Sequence, residues 1–145
     1  GSILRPSGAW VPARYTGGAF GVSFRSTREK GSGGEAIARD FLQGKGYRIL
    51  DMNFQVRMGE IDIIARDHKT VVFVEVKSSS GERFGNPLEW VPPWKQRRII
   101  RISQAYLAKR RFHDVPVRYD VVAVDSAGRV FHVEDAFRPA GELPV

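Results

Sequence analysis

Two apolar strands carrying charges in a fixed phase constrain this chain more than any other stretch. Gly59-Glu60-Ile61-Asp62-Ile63-Ile64-Ala65 is followed at hairpin distance by Val71-Val72-Phe73-Val74-Glu75-Val76-Lys77. Side chains on a strand alternate between faces, so Glu75 and Lys77 point the same way. Pairing of the two strands brings Asp62 to the same region. From Val71 to Val76 there are five apolar residues and one carboxylate, a costly setting for a charge without a partner. Two carboxylates converging beside a lysine can hold a divalent cation and activate a water, the machinery of metal-assisted phosphodiester hydrolysis. Solvated charges at strand ends are the competing explanation, and spacing alone leaves both standing.

Asp62 and Glu75 form an all-oxygen ligand pair, which suits Mg²⁺ or Mn²⁺, and the Val76 carbonyl can complete the inner shell. Lys77 either orients or deprotonates the attacking water and neutralises developing charge, or forms a salt bridge to one of the carboxylates. Ser32-Gly33-Gly34-Glu35 has the form of a capping box, so Glu35 either closes the helix start or approaches the cation from it. Glu60 lies on the Asp62 face nearer the turn, where it serves a second ion or Arg57. The histidines, His68, His113 and His132, have no zinc-hydrolase spacing, and no GxxxxGK[ST] phosphate loop exists.

A chain of 145 residues suits one domain, and its formal net charge of +7 favours a polyanionic partner, nucleic acid before membrane. Cysteine is absent, which excludes disulfides and thiolate metal sites. No apolar run approaches a membrane span and no signal-peptide pattern opens the chain, so a cytoplasmic protein with no membrane partner is expected.

Eight of the 15 glycines fall in the first 34 residues, without helical or alternating period, predicting a flexible basic extension over residues 1–31. The domain is expected over 32–138, with a tail at 139–145. Apolar Ile37, Ala38, Phe41 and Leu42 predict a first helix stopped at Gly44-Lys45-Gly46. Strands follow at 47–50 with a continuation over 53–56, at 60–65 and at 70–78. A Gly/Pro-rich loop to Pro93 precedes a helix from Trp94 to about Phe112, then strands at 118–124 and 129–133. This order, a helix, a three-strand meander, a helix and one or two strands, predicts an α/β fold with a mixed central sheet.

The second helix carries the binding signal. Between Val91 and His113 stand seven basic residues and no acid, among them Lys95, Arg97, Arg98 and Arg101. Unneutralised cations on one element favour phosphate contacts over a solvated face. The preceding loop, with Arg83, Phe84, Trp90 and Trp94, can close over a substrate or stack on bases, while Trp94 serves equally as an anchor for the helix start.

Glu35, Asp62 and Glu75-Val76-Lys77 together resemble the PD-(D/E)XK nucleases. Gly34-Glu35-x-x-Ala38, Gly46-Tyr47-Arg48-Ile49-Leu50, Gly59-Glu60-Ile61-Asp62, Val74-Glu75-Val76-Lys77, Lys95-Gln96-Arg97-Arg98 and Arg118-Tyr119-Asp120-Val121-Val122 resemble the YraN family of bacterial proteins over about residues 31–138. The resemblance implies a restriction-endonuclease-like three-layer α/β/α core and similarity to Holliday junction resolvases, which act as Mg²⁺-dependent homodimers on DNA. It also implies that Glu35 joins Asp62 and Glu75 at the metal, with Lys77 catalytic, and that Gln96 lies near the site. Ile61 stands where the motif name has Pro, and Asp120 is either structural or part of the site. Two function classes follow: a metal-dependent endonuclease on DNA, and a non-catalytic nucleic-acid-binding module with a vestigial site.

Overall fold

The computed structural model describes residues 2–4, 10–12, 14–19, 32–78 and 90–139. Helix α1 (Ser32–Gly44) buries Ile37, Ala38 and Leu42 along one stripe. It ends in a two-bond glycine stop: Tyr47 N–H donates to the Leu42 carbonyl and Gly46 N–H to that of Gln43, each at 3.0 Å. Gly46 takes φ 94°, the left-handed conformation this stop requires.

Strands β4 (Arg48–Val56), β5 (Gly59–Asp67) and β6 (Thr70–Ser78) then form an antiparallel meander. Helix α2 (Pro93–Lys109) begins on a proline, where the missing N–H costs nothing, and returns the chain to β7 (Val117–Val124), parallel to β6. The antiparallel β8 (Arg129–Phe137) follows.

Short β1 (Ser2–Leu4) and β2 (Trp10–Pro12) pair with each other, and β3 (Arg14–Ala19) joins β8, giving a six-stranded sheet in the order β3-β8-β7-β6-β5-β4. Within residues 1–31, read from composition as a flexible basic extension, the described residues form three strands. Pairing to an open sheet edge joins backbone to backbone and needs no side-chain period, so nothing in the composition announces it. The predicted loop residues Arg83 and Phe84 and the tail beyond Pro139 lie outside the described residues.

Both sheet faces are buried. Val72, Val74, Val122 and Val124 pack with Ile37 and Leu42 of α1. Val71, Phe73, Tyr119 and Val121 pack with Ile99, Ile102 and Tyr106 of α2. Burial on both sides explains why β6 and β7 read as nearly continuous apolar runs. The result is the three-layer α/β/α core with a mixed central sheet.

One break in alternation falls at the mouth of the meander. Ile61 and Phe54, paired across β5 and β4, face α2, whereas Ile63 and Met52, the pair two residues on, face α1. Both strands switch faces together at Asp62 and Asn53. Asn53 absorbs the switch with φ 51°, a conformation Asn tolerates better than most residues. Pairing of β5 with β6 begins at Ile63–Val74, so the Asp62 carboxylate emerges where the two strands part.

Candidate metal centre

Three elements supply the carboxylates. Glu35 sits in the first turn of α1, Glu60 and Asp62 on β5, and Glu75 on β6. Carboxylate oxygens of Glu35, Glu60 and Asp62 all lie within 4.8 Å of one another, close enough to share a single hard cation. The Asn53 amide bridges two of them, donating to Glu35 Oε1 at 2.8 Å and Glu60 Oε2 at 3.1 Å. The Val76 N–H donates to Asp62 Oδ2 at 2.8 Å, which aims that carboxylate across the gap between the strands.

Burial, then the charge of Glu75, and less strongly those of Glu35 and Glu60, push the Asp62 carboxyl up to about 8 against the opposing pull of the Val76 N–H. Negative groups crowded until one must keep its proton form a set that a divalent cation would relieve.

Glu75 is buried and paired with Lys95 of α2, Nζ to Oε2 at 2.5 Å. This revises the picture of seven uncompensated cations on the second helix. Lys95 is neutralised by Glu75, and Arg110 by Asp51 at 2.8 Å. The acids come from facing strands, so the helix sequence alone cannot reveal them. Arg97, Arg98 and Arg101 are exposed and have no acidic partner among the described residues.

Lys77 is exposed, on the same strand as Glu75, and forms no ion pair among the described residues. The alternative in which it bridges to Asp62 or Glu75 therefore does not hold. The Glu35 carboxylate is engaged by Asn53, and the Ser32 side chain of the proposed capping box lies outside the described residues. Gln96 donates to the Val91 carbonyl at 2.8 Å and secures the entry to α2. Trp90, 6% exposed, is the buried anchor before that helix, and Trp94, 55% exposed, is not. Asn53 is the site residue the sequence pattern misses. Its signal is faint, an Asn between apolar residues of a strand.

Asp120, in register with Val74 on the neighbouring strand, belongs to a different hydrogen-bond network. It is fully buried and receives two bonds from Arg118 at 2.9 Å each, one from the Asp135 N–H at 3.0 Å, and one from His132 Nε2 at 2.7 Å. Lys45 Nζ meets His132 Nδ1 at 2.9 Å. An ammonium can only donate, so Nδ1 accepts and Nε2–H is left to donate to Asp120. A cavity of about 850 Å³ opens beside this network, lined by Asp67, Arg118, Glu134, Asp135 and Arg138. Its charges pair with each other: Arg118 with Asp67 at 3.0 Å, and Arg138 with Asp135 at 2.9 Å. Glu134 meets Arg118 at 3.6 Å and Lys45 at 3.7 Å, so each lining acid named has a cationic partner among the described residues.

The architecture defines an α/β protein with a mixed central sheet and its carboxylate cluster where the meander strands part. Residues 34–124 match the uncharacterised protein family UPF0102, and the chain belongs to that family, as the sequence resemblance implies. It is 46% identical over 114 residues to a UPF0102 protein of Geotalea uraniireducens, covering 76% of this chain and 90% of the relative. A UPF0102 protein of Syntrophus aciditrophicus is 46% identical over 122 residues, covering 81% and 96%. Among solved structures, Pyrococcus furiosus SfsA in complex with Ca²⁺ matches 74% of this chain and 63% of its own at 15% identity. The TM-score of that match is 0.28. No helix among the described residues is long and apolar enough to cross a membrane.

Proposed function

We propose that this protein is an endonuclease that hydrolyses DNA phosphodiester bonds with Mg²⁺ or Mn²⁺. The observation that carries this reading is the cluster of Glu35, Glu60 and Asp62 oxygens within 4.8 Å, beside buried Glu75 and an exposed Lys77 that has no ion pair among the described residues. The donor set fits the cation: every ligand is a hard oxygen, and Asp62 is crowded enough to hold a proton in its place.

Asp62, Glu35 and Glu60 would hold the ion, with Glu75 adjoining. A bound ion supplies Lewis-acid polarisation of the phosphoryl oxygens and charge neutralisation. The chain does the rest. Lys77 positions the attacking water and offsets negative charge as the phosphorane forms. Arg97, Arg98 and Arg101 hold flanking phosphates and set the register of the strand.

The test is incubation with Mg²⁺ or Mn²⁺ and single-stranded, duplex and four-way-junction DNA, with Glu75→Ala and Lys77→Ala alongside. Cation-dependent cleavage lost on chelation and in both variants is expected. Cleavage that survives both substitutions contradicts the assignment, and tight binding without cleavage moves the protein to the non-catalytic class.

The arginines give a second expectation. Each of Arg97→Ala and Arg101→Ala should flatten the slope of log K against log salt by about 0.9 for duplex DNA. The loss should be similar for unrelated sequences, as binding titrations at several ionic strengths would show.

A further inference from the structure

Trp94 and Met58 are the exposed large hydrophobic residues of the described structure, at 55% and 39%, and they lie on adjoining elements. Trp94, Arg97, Arg98 and Arg101 follow i, i+3, i+4, i+7 spacing on α2, so they share one helix face. The Arg98 guanidinium lies 5.0 Å from the Trp94 ring centroid, over the indole, which stays 55% exposed. The β4–β5 turn comes up against this face through Gly59, whose φ is +149°. A Cβ at Gly59 would meet Ile102 Cδ1 at 3.4 Å and Arg98 Nε at 3.5 Å, so the turn backbone lies directly on the helix. Met58 precedes that contact and Glu60 of the carboxylate cluster follows it.

We propose that Trp94, braced by Arg98, is a stacking platform for one unpaired base beside the phosphate to be cut. The preferred substrate is then DNA with unpaired bases, as a single strand or an opened duplex. Inside a continuous duplex both faces of every base are covered by neighbours, and only a base released from the stack can lie on an indole. Charge selects the same partner. Arg57, Arg97, Arg98 and Arg101 are exposed and lack acidic partners among the described residues, so a polyanion is the complement of this surface. This inference builds on the nuclease reading, because it takes the adjoining carboxylates as the site of cleavage.

The test is affinity measured by fluorescence anisotropy in chelator at fixed salt. The probes are a labelled oligonucleotide, its blunt duplex, and the same duplex with a central unpaired segment. Trp94→Ala should weaken the single strand and the interrupted duplex about tenfold and leave the blunt duplex unchanged, while Trp94→Phe retains most of the binding. Unchanged binding of all three DNAs, or equal weakening of all three, would overturn the proposal. The two readings fail separately. Trp94-dependent preference without cleavage in Mg²⁺ removes the nuclease and keeps the platform. Cation-dependent cleavage with no effect of Trp94→Ala on binding removes the platform and keeps the nuclease.

Discussion

Replacing Asp62 with Asn should lower cation-dependent cleavage by roughly three orders of magnitude and, in the same protein, strengthen the fold. The opposed signs come from one cause. In the folded chain the Asp62 carboxyl keeps its proton to about pH 8, against 3.8 for an ordinary aspartate. Between those values the folded state binds more protons than the unfolded one, so stability falls as pH rises and the cost is complete above pH 8. Asn carries no such cost and can still accept from the Val76 N–H. Each pH unit of the displacement is worth about 1.4 kcal/mol. With no divalent cation present, denaturant titration should therefore show the variant more stable by at least ~1 kcal/mol above pH 8. The gap should close toward acid. A variant less stable than the parent at every pH would show that Asp62 is a structural carboxylate and not one held ready for a ligand.

Asp120→Ala should do the opposite, destabilising the protein by about 3–5 kcal/mol. It would strand the Arg118 guanidinium, the His132 Nε2–H and the Asp135 amide in the interior. Burial works against the Asp120 charge, but bonds from His132 and Arg118 hold the carboxyl below its usual range. A depressed carboxyl stabilises above its unfolded value near 3.8, and that contribution disappears as the pH falls. The acid limb of the stability curve should therefore be shallower in Asp120→Ala than in the parent. Urea titration across acidic pH checks both the size and the limb. A loss under ~1 kcal/mol would mean that the network is not coupled to folding.

Local rules made much of this molecule legible. The apolar runs at 60–65 and 70–76, the Gly46 stop and the stripe of Ile99, Ile102 and Tyr106 each follow from period or turn chemistry within a few residues. The meander and the crossover helix then leave few topologies. What escaped the sequence are pairings between distant elements. Nothing in Leu50-Asp51-Met52-Asn53-Phe54 shows that Met52 and Phe54 face opposite sides, because the switch depends on β4 and β5 slipping together at Asn53 and Asp62. Glu75 and Lys95 are 20 residues apart, and their ion pair exists only once α2 lies on the sheet. The sequence leaves Glu60 open between a second ion and Arg57, and only the Asn53 amide, 18 residues from Glu35, ties it to that carboxylate. Trp94 is the exception that period could have resolved, since it lies off the stripe that buries Ile99 and Ile102.

The most direct test of the central claim, that these carboxylates hold a divalent cation, is calorimetric titration of Mn²⁺ into the protein at neutral pH in buffers of different ionisation enthalpy. Asp62 keeps its proton to about pH 8, so binding should release on the order of one proton per ion. The observed heat should then vary with the buffer, and both binding and release should vanish in Asp62→Asn. Absence of binding, or binding unaltered in Asp62→Asn with heat independent of buffer, would contradict the assignment.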